Sequence, residues 1–260
     1  MAYEFLLIDE SEAVVTVTMN RPEKRNAMNN AVKGELRAVA VELDGRDDIS
    51  CVILTGAGSA FSAGNDLSDP RKFSGDMPLA EARRVARLGA DMCTAWESLR
   101  ALTIAVVQGP AIGGALSLAV ACDFRILGPM GYFHATEVEL GLSYTWNSLP
   151  RIGNLVGPAR AKLVGALARK IDAPTALAWG LCEQLAEAPM DAAHAMAAEI
   201  ARLPRIAQQM VKESVNRHFA APNTVYLDQD QILVMAREPE TIRIQERRRE
   251  QLGRGKAAPR

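Results

Sequence analysis

The chain of 260 residues lacks several features that mark whole classes of protein. Its four cysteines, Cys51, Cys93, Cys122 and Cys182, stand far apart in apolar surroundings, without a CxxC pair or a histidine at ligand spacing. We therefore expect reduced core thiols and no metal site. The apolar run in MAYEFLLIDE is far too short for a signal peptide or a membrane span and has no basic residues before it, which predicts a cytoplasmic protein without a membrane partner.

An excess of charge of either sign is also missing. The sequence carries 30 basic and 31 acidic residues, for a net charge of −1. An overall field that would attract nucleic acid is therefore excluded, although a local basic cluster for phosphates remains possible. The sequence has 48% hydrophobic residues, no internal repeat and no interdomain linker. The chain is therefore expected to bury a large core that needs no disulfide or metal for its stability.

The most informative stretch is Thr103 to Asp123, TIAVVQGPAIGGALSLAVACD. A β-branched apolar run predicts a buried strand, and the small apolar residues after Gly113 and Gly114 predict a buried helix. The first N–H groups of a helix have no partner within it, so Gly114 is placed to donate to an oxyanion, with Ser117 on the same face. The alternative is that the glycine pair only allows helices to pack closely.

A second stretch, Ser50 to Leu67, contains a predicted strand, a glycine loop and then AFSAGNDL. Ala63 and Gly64 would let the chain turn so that the N–H of Asn65 points inward. The N–H groups of Asn65 and Gly114 could then converge on one oxygen.

The paired motifs AFSAGNDL and QGPAIGGALSLAVACDFRI, preceded by RPEKRNAM, resemble the crotonase superfamily of enoyl-CoA hydratases and isomerases over nearly the whole chain. The resemblance implies an α/β fold, with a crotonase-like ββα spiral core and acyl-CoA site in residues 1–190. It also implies a helical C-terminal oligomerisation region in residues 191–260, which forms trimers or dimers of trimers. Asn65 and Gly114 would form the oxyanion hole for an acyl-CoA thioester, and no further cofactor is implied because coenzyme A is part of the substrate.

The resemblance further implies residues that contact the substrate. Lys24 or Arg25 would contact a CoA phosphate and the backbone of Ala27 would lie near the adenine, although each cation alone could belong to a solvated turn. The complete set of expected contacts is Lys24, Arg25, Ala27, Ala63, Asp66, Leu67, Met92, Tyr144 and Trp146. Met92 belongs to an apolar helical stripe, and such a stripe is more often simply core.

One acidic residue matches the catalytic carboxylate of the family. In FHATEVELGL, Phe133, Glu137 and Gly141 fit the pattern F-x-x-P-E-x-x-x-G, with Thr136 in place of the proline. Glu139 lies two residues further on, but the spacing to Phe133 and Gly141 favours Glu137. The resemblance thus assigns proton transfer to Glu137.

Two departures from the family bear on which reaction is catalysed. Hydratases of the family carry a second glutamate where this chain has Ser117, and addition of water suits two carboxylates. A single glutamate resembles the mitochondrial type of Δ3,Δ2-enoyl-CoA isomerase, which moves a proton from C2 to C4. We favour isomerisation, with hydration as the alternative if Ser117 holds a water. The loop after Gly141, which is rich in glycine and proline in the family, is LSYTWNSLPRIG here, with Tyr144 at the usual proline and the bulky Trp146 nearby. This difference indicates a differently shaped acyl pocket or only altered packing.

Two other classes of function remain open. A hydrolase could use Ser117 with His134, although no strained nucleophile turn surrounds the serine. The chain could also bind acyl-CoA with little catalysis.

Local patterns predict the elements around these motifs. An N-terminal hairpin is expected at residues 4–9 and 13–19, and strands at 51–55 and 123–127. Capping residues and apolar spacing predict helices at about 30–43, 79–99, 155–167, 172–180, 191–203, 204–218, 224–236 and 239–251. The basic tail after residue 246 is expected to be frayed.

Overall fold

A computed structural model describes residues 3–69, 77–219 and 237–254 of the chain. The strands are β1 (Leu6–Ser11), β2 (Val14–Met19), β3 (Cys51–Gly56), β4 (Leu102–Val107), β5 (Pro110–Ile112), β6 (Phe124–Leu127), β7 (Tyr132–His134), β8 (Ile171–Asp172) and β9 (Gln184–Leu185). The helices are α1 (Asn30–Asp44), α2 (Leu79–Ser98), α3 (Gly114–Ala119), α4 (Ser148–Val156), α5 (Pro158–Gly165), α6 (Ala173–Trp179), α7 (Pro189–Ala201), α8 (Arg205–Phe219) and α9 (Pro239–Arg254). Single 3-10 turns lie at Pro22–Lys24 and Val138–Leu140.

A six-stranded sheet with the order β1-β2-β3-β4-β6-β9 forms the centre of the molecule. The hairpin of β1 and β2 is antiparallel, and the remaining pairs are parallel. All six residues of β3 are buried, as expected for a parallel strand covered on both faces. A second sheet has the order β5-β7-β8. Its first strand, β5, directly precedes α3 in the sequence.

The two faces of the central sheet bury different sets of residues because side chains alternate along a strand. Val52 and Leu54 join one apolar cluster with residues of α1, α2 and α3. Cys51 and Ile53 join another with Ala193, Ala197 and Ile200 of α7. The prediction of an α/β fold is confirmed.

Helices α7 and α8 connect the C-terminal third to this core. The ammonium of Lys212 on α8 lies 2.6 Å from Asp123 Oδ2 and 2.9 Å from the carbonyl oxygen of Ala101. Helix α7 itself spans residue 190 and packs on the central sheet. The division into residues 1–190 and 191–260 stays a prediction from the family resemblance.

Several predicted helices agree with the structure at their ends. Asn29 caps α1, since its side chain accepts a hydrogen bond of 2.8 Å from the Val32 N–H, and Asp172 caps α6 in the same way through Thr175. Gly180 ends α6 with a φ of +77°. The predicted helix at residues 224–236 lies outside the described residues.

The predicted helix at residues 155–167 is confirmed over 158–165 as α5, but its predicted start is wrong. Two helices, α4 and α5, meet at Gly157, whose φ of +81° breaks the helical path before Pro158 starts the next helix. Proline is well suited to the first turn of a helix, because the N–H that it lacks would have no partner there. Residues 148–152, where the sequence predicts a loop, form the start of α4.

All four cysteines are free and buried, as predicted. Burial raises the pKa of the Cys51, Cys93 and Cys122 thiols to about 12, so these groups stay protonated at neutral pH. Within the described ranges, no helix is long and apolar enough to cross a membrane.

Candidate active site

The two glycine-containing segments meet at a short parallel bridge between Ser62 and Ala111. The Ser62 N–H donates to the Pro110 oxygen at 3.1 Å, and the Ile112 N–H donates to the Ser62 oxygen at 3.1 Å. Gly64 has a φ of +80°, and a methyl group built on it would collide with the Ile112 carbonyl oxygen and lie 3.4 Å from the Gly114 nitrogen. Glycine at position 64 is what lets the chain come so close to the start of α3.

Neither the N–H of Asn65 nor the N–H of Gly114 has a backbone acceptor among the residues that the structure describes. A bridge with Met28 holds Asn65, but its two hydrogen bonds use the Met28 N–H with the Gly64 oxygen and the Asp66 N–H with the Met28 oxygen. The N–H of Asn65 therefore faces away from Met28. Gly114 is the first residue of α3, where an N–H has no partner within the helix. The predicted role of these two N–H groups as oxyanion donors requires such open donors, and it stays a prediction.

The carboxylate of Glu137 lies against the backbone just before α3. Its Oε1 would be 2.6 Å from a Cβ built on Gly113, which has a φ of +54°. A hydrogen bond of 2.8 Å from the Gly113 N–H to the His134 oxygen fixes this approach. Glu137 is thus next to one of the two candidate oxyanion donors.

Burial changes the acidity of Glu137. Part of the residue reaches the surface, but its Oε2 is buried and has no hydrogen-bond partner among the described residues. Desolvation raises the pKa of Glu137 to about 7, and the backbone N–H groups of Glu137 and Thr136 oppose the rise. A carboxylate with this pKa can both accept and return a proton near neutral pH.

The side chain of Ser117 belongs to a cluster of three hydroxyl groups, those of Ser117, Tyr144 and Ser148. Tyr144 donates to the Gly113 carbonyl oxygen at 3.0 Å, and Ser117 donates to the Tyr144 oxygen at 3.0 Å. The Ser148 oxygen lies 2.6 Å from that of Ser117. Burial first, and then the charge of Glu137, raise the pKa of Tyr144 well above its usual value, so the phenol stays protonated. The cluster supplies no carboxylate.

Trp146 forms a wall above the start of α3. Methyl groups built on Gly89 of α2 or Gly114 would both collide with its indole ring. Trp146 has a φ of +63°, a left-handed conformation that costs a bulky residue about 1–3 kcal/mol. Arg151 stabilises it by donating at 2.8 Å to the Trp146 oxygen, while the same guanidinium pairs with Glu97 at 2.7 Å.

Lys24 and Arg25, which are expected to contact CoA, lie in a turn that is hydrogen-bonded to the loop before Asn65. Lys24 and Arg25 are exposed, and the Arg25 carbonyl oxygen accepts a hydrogen bond of 2.8 Å from the Ala63 N–H. This bond joins the turn that contains Lys24 and Arg25 to the segment that contains Ala63 and Asn65.

The remaining residues of that set differ in exposure. Ala27 is buried, Leu67 is exposed, and Asp66 forms an ion pair with Arg21 at 3.3 Å. Met92 is completely buried in the core, so its contact with substrate stays a prediction.

The geometry does not support a serine hydrolase. The hydroxyl of Ser117 bonds to Tyr144 and Ser148, whereas Nε2 of His134 lies 3.7 Å from Glu139 Oε1. Within the described part of the chain, no hydrogen bond joins Ser117 to His134.

Two residues near the site were not predicted. Ser148 lies in a segment that we took for a loop. Lys33 falls on the apolar face of α1, three residues before Leu36, and its Nζ lies 3.4 Å from Asn65 Oδ1. A lysine within that apolar spacing was the signal that could have identified it.

The loop after Glu137 also touches the C-terminal helix. Gly141 has a φ of +70°, and its carbonyl oxygen accepts a hydrogen bond of 2.8 Å from the Thr241 hydroxyl of α9. The C-terminal region thus helps to hold the segment that carries Glu137.

Comparison with known proteins gives a consistent result. The family model described as enoyl-CoA hydratase/isomerase matches residues 9–248. "Probable enoyl-CoA hydratase echA8" of Mycobacterium tuberculosis is 34% identical over 224 residues, which cover 84% of each chain. Pseudomonas aeruginosa DspI has a TM-score of 0.78 at 30% identity, covering 87% of this chain and 92% of DspI. An enoyl-CoA hydratase structure from Mycobacterium avium subsp. paratuberculosis has a TM-score of 0.84 at 21% identity over 96% of this chain and 97% of that one, which supports the crotonase-type fold.

Proposed function

This chain belongs to the enoyl-CoA hydratase/isomerase family of the crotonase superfamily, and we propose that it moves the double bond of an enoyl-CoA thioester by means of Glu137 alone. The N–H groups of Asn65 and Gly114 would bind the thioester oxygen. The observation that carries the proposal is the buried carboxylate of Glu137 beside Gly113, facing a cluster that offers hydroxyl groups and no second carboxylate.

The reaction needs only one proton carrier. Glu137 removes a proton from C2 of a 3-enoyl-CoA, and the electrons pass into the thioester to form a dienolate. The two N–H groups stabilise the negative oxygen, and each such donor is worth about 3–4 kcal/mol to the transition state. Glu137 then returns the proton to C4, which leaves the 2-enoyl-CoA and the original carboxylate.

The hydroxyl cluster explains why we favour isomerisation. Ser117 stands where a hydratase of the family would have its second glutamate, and its hydroxyl is already engaged with Tyr144 and Ser148. A neutral hydroxyl with two partners is a poor base for water. Glu137 therefore has to supply both proton transfers.

Hydration of a 2-enoyl-CoA is the second candidate. The similar proteins named above include enoyl-CoA hydratases. Hydration would require the Ser117 hydroxyl to exchange one of its two partners, Tyr144 or Ser148, for a water. In that case Glu137 would activate the water and afterwards protonate C2.

A paired assay separates these reactions. The protein and Glu137→Gln would be given 3-enoyl-CoA and 2-enoyl-CoA in D2O, with double-bond position, hydration and deuterium at C2 and C4 followed by mass spectrometry. Migration without hydration, reduced about 10²–10⁴-fold in the variant, is the expected result. Hydration as the main reaction would move the conclusion to a hydratase.

Glu139→Gln is the matched control. Glu139 lies two residues from Glu137 and is exposed, with a contact to His134, so its loss should leave turnover within about twofold. Binding of both thioesters without any turnover would instead indicate a CoA-binding protein.

We also propose a cytoplasmic trimer or dimer of trimers. Helix α8 and the residues before it expose an apolar surface made of Leu203, Ile206, Met210, Val211, Val215 and Phe219. Exposed apolar patches of this kind are typical of interfaces. Light scattering should give the mass of three or six chains. Val211→Glu should lower that mass, while Val41→Glu, at an exposed position of α1, should not. A single-chain mass for the unaltered protein would contradict the trimer.

A further inference from the structure

Lys33 is a buried cation that the reaction proposed above does not use. It lies on α1 between core residues, with only 8% of its surface exposed. Burial lowers the pKa of Lys33 to about 8, an effect that the carboxylate of Asp69 partly opposes. The ammonium is therefore still mainly charged at neutral pH.

The hydrogen bonds of this ammonium are incomplete. An ammonium has three N–H donors. Among the described residues its acceptor is Asn65 Oδ1, at a long distance of 3.4 Å, and no carboxylate lies within 4.0 Å. Asp69, the charged group that faces it, uses Oδ2 to accept the Asn30 N–H at 2.9 Å. A buried charge with unfilled donors is costly, so a bound acceptor would stabilise it.

The position of Lys33 brings this unfilled donor to the acyl side of the active site. The side chain of Asn65 is short, so its amide oxygen keeps Nζ close to the backbone N–H that would bind the thioester oxygen. Nζ is also 5.7 Å from the ring centroid of Trp146, and the same ring covers Gly114. Asn65 itself is exposed, so a ligand can reach this place.

We propose that Lys33 is a specificity-determining residue that binds a carboxylate on the acyl group of the substrate. The preferred substrates would then be short acyl-CoA thioesters that carry a second, free carboxylate, and this inference rests on the proposed function. A carboxylate fits better than a neutral group because it balances the buried charge and can accept from more than one N–H.

Binding of thioesters that cannot react tests the inference independently of turnover. Glutaryl-CoA and pentanoyl-CoA have acyl chains of equal length and differ in the terminal carboxylate. Calorimetry should show that the protein binds glutaryl-CoA about tenfold more tightly. Lys33→Met keeps the length of the side chain and should remove that preference, while the affinity for pentanoyl-CoA changes less than about twofold.

Two further variants keep the result interpretable. Lys33→Arg retains the charge and should keep part of the preference, which a purely structural role would not require. Lys24→Met removes an exposed cation on the CoA side, so it should affect both thioesters equally. If Lys33→Met fails to fold, Lys33→Gln replaces it in the same comparison.

The possible outcomes separate the two proposals. Equal affinity for the two thioesters, or a preference that survives in Lys33→Met, overturns the role of Lys33 and leaves the acyl-CoA function standing. Equally tight binding of 5-hydroxypentanoyl-CoA and glutaryl-CoA overturns the assignment of a carboxylate. Failure of every thioester to bind overturns the proposed function together with this inference.

Discussion

At the scale of single residues, the chemistry depends on a carboxylate that is partly removed from water. Glu137 has one buried oxygen without a hydrogen bond among the described residues, and its neighbours are backbone and hydroxyl groups rather than cations. Its charged form is therefore disfavoured and its proton affinity is raised. Such a group is a stronger base than an exposed glutamate and remains ionised to a useful extent at neutral pH.

The pH dependence of turnover follows from this pKa. Because the base must be ionised, kcat/KM for the isomerisation should rise with pH and reach half its maximum near pH 7. Initial rates measured between pH 5 and 9 would check this. A midpoint near 4.5, the ordinary value, would show that Glu137 is not desolvated in the working enzyme.

The same residue should make stability depend on pH. The pKa of Glu137 is higher in the folded state than in the unfolded state. Its favourable contribution to the free energy of unfolding is therefore present at low pH and is lost as the pH rises from about 4.5 to 7. The free energy of unfolding of Glu137→Gln, taken relative to that of the unaltered protein, should therefore be about 2–3 kcal/mol higher at pH 9 than at pH 5. Urea unfolding at both pH values gives the difference, and an equal effect at the two would contradict the assigned pKa.

At the scale of elements, α2, α3 and the loop before α4 meet at the ring of Trp146. Gly89 and Gly114 leave the space that the ring fills, and Arg151 holds the left-handed backbone at Trp146. Each of these residues would be ordinary elsewhere in the chain. Together they fix an aromatic wall next to the candidate oxyanion hole.

This packing predicts a large difference between two glycine substitutions. Gly89→Ala forces a methyl group into the ring of Trp146 and should cost about 1–3 kcal/mol. Gly34→Ala on α1 meets nothing within 4 Å and should stabilise the protein by about 0.5–1 kcal/mol. Denaturant unfolding would measure both changes.

A double variant shows whether the ring is the cause. In Gly89→Ala with Trp146→Ala, the collision is gone, so the combined loss should be smaller than the sum of the two separate losses. Additive losses would mean that another contact of Gly89 decides the result.

At the scale of the whole molecule, the C-terminal helices and the core stabilise one another. Lys212 of α8 joins Asp123, whose carboxylate also accepts hydrogen bonds from the backbone and hydroxyl of Thr103 at 2.7 and 2.9 Å. Thr241 of α9 reaches the loop that carries Glu137. Loss of the C-terminal contacts should therefore also disturb the active site.

Lys212→Met tests this connection. The substitution leaves the largely buried carboxylate of Asp123 without its cation and should cost about 3–5 kcal/mol. Arg217→Met, which removes an exposed pair with Glu213 on the same helix, should cost less than about 0.5 kcal/mol. If the two substitutions lower the free energy of unfolding equally, the packing of α8 does not depend on the buried pair of Lys212 and Asp123.

Local sequence patterns were enough to predict the α/β class and the ends of many helices and strands. Alternating and β-branched runs specify strands, and the side chains of Asn29 and Asp172 specify helix starts, because these are local effects of a few neighbouring residues. The glycine motifs and the position of Glu137 also carried the resemblance to the family. Where a local rule was overlooked, at Gly157 and Pro158, the predicted start of the helix at residues 155–167 was wrong.

The surroundings of the reacting groups, in contrast, depend on how the folded chain packs. The meeting of Ser117 with Tyr144 and Ser148, and of Lys33 with Asn65 and Trp146, joins residues that are far apart in sequence. Burial of Glu137 likewise depends on the whole packed chain. The hydrogen bonds, the desolvation and the pKa of a group depend on its neighbours in three dimensions. The pKa of Glu137 and the hydrogen bonds of Ser117 therefore could not be read from the sequence.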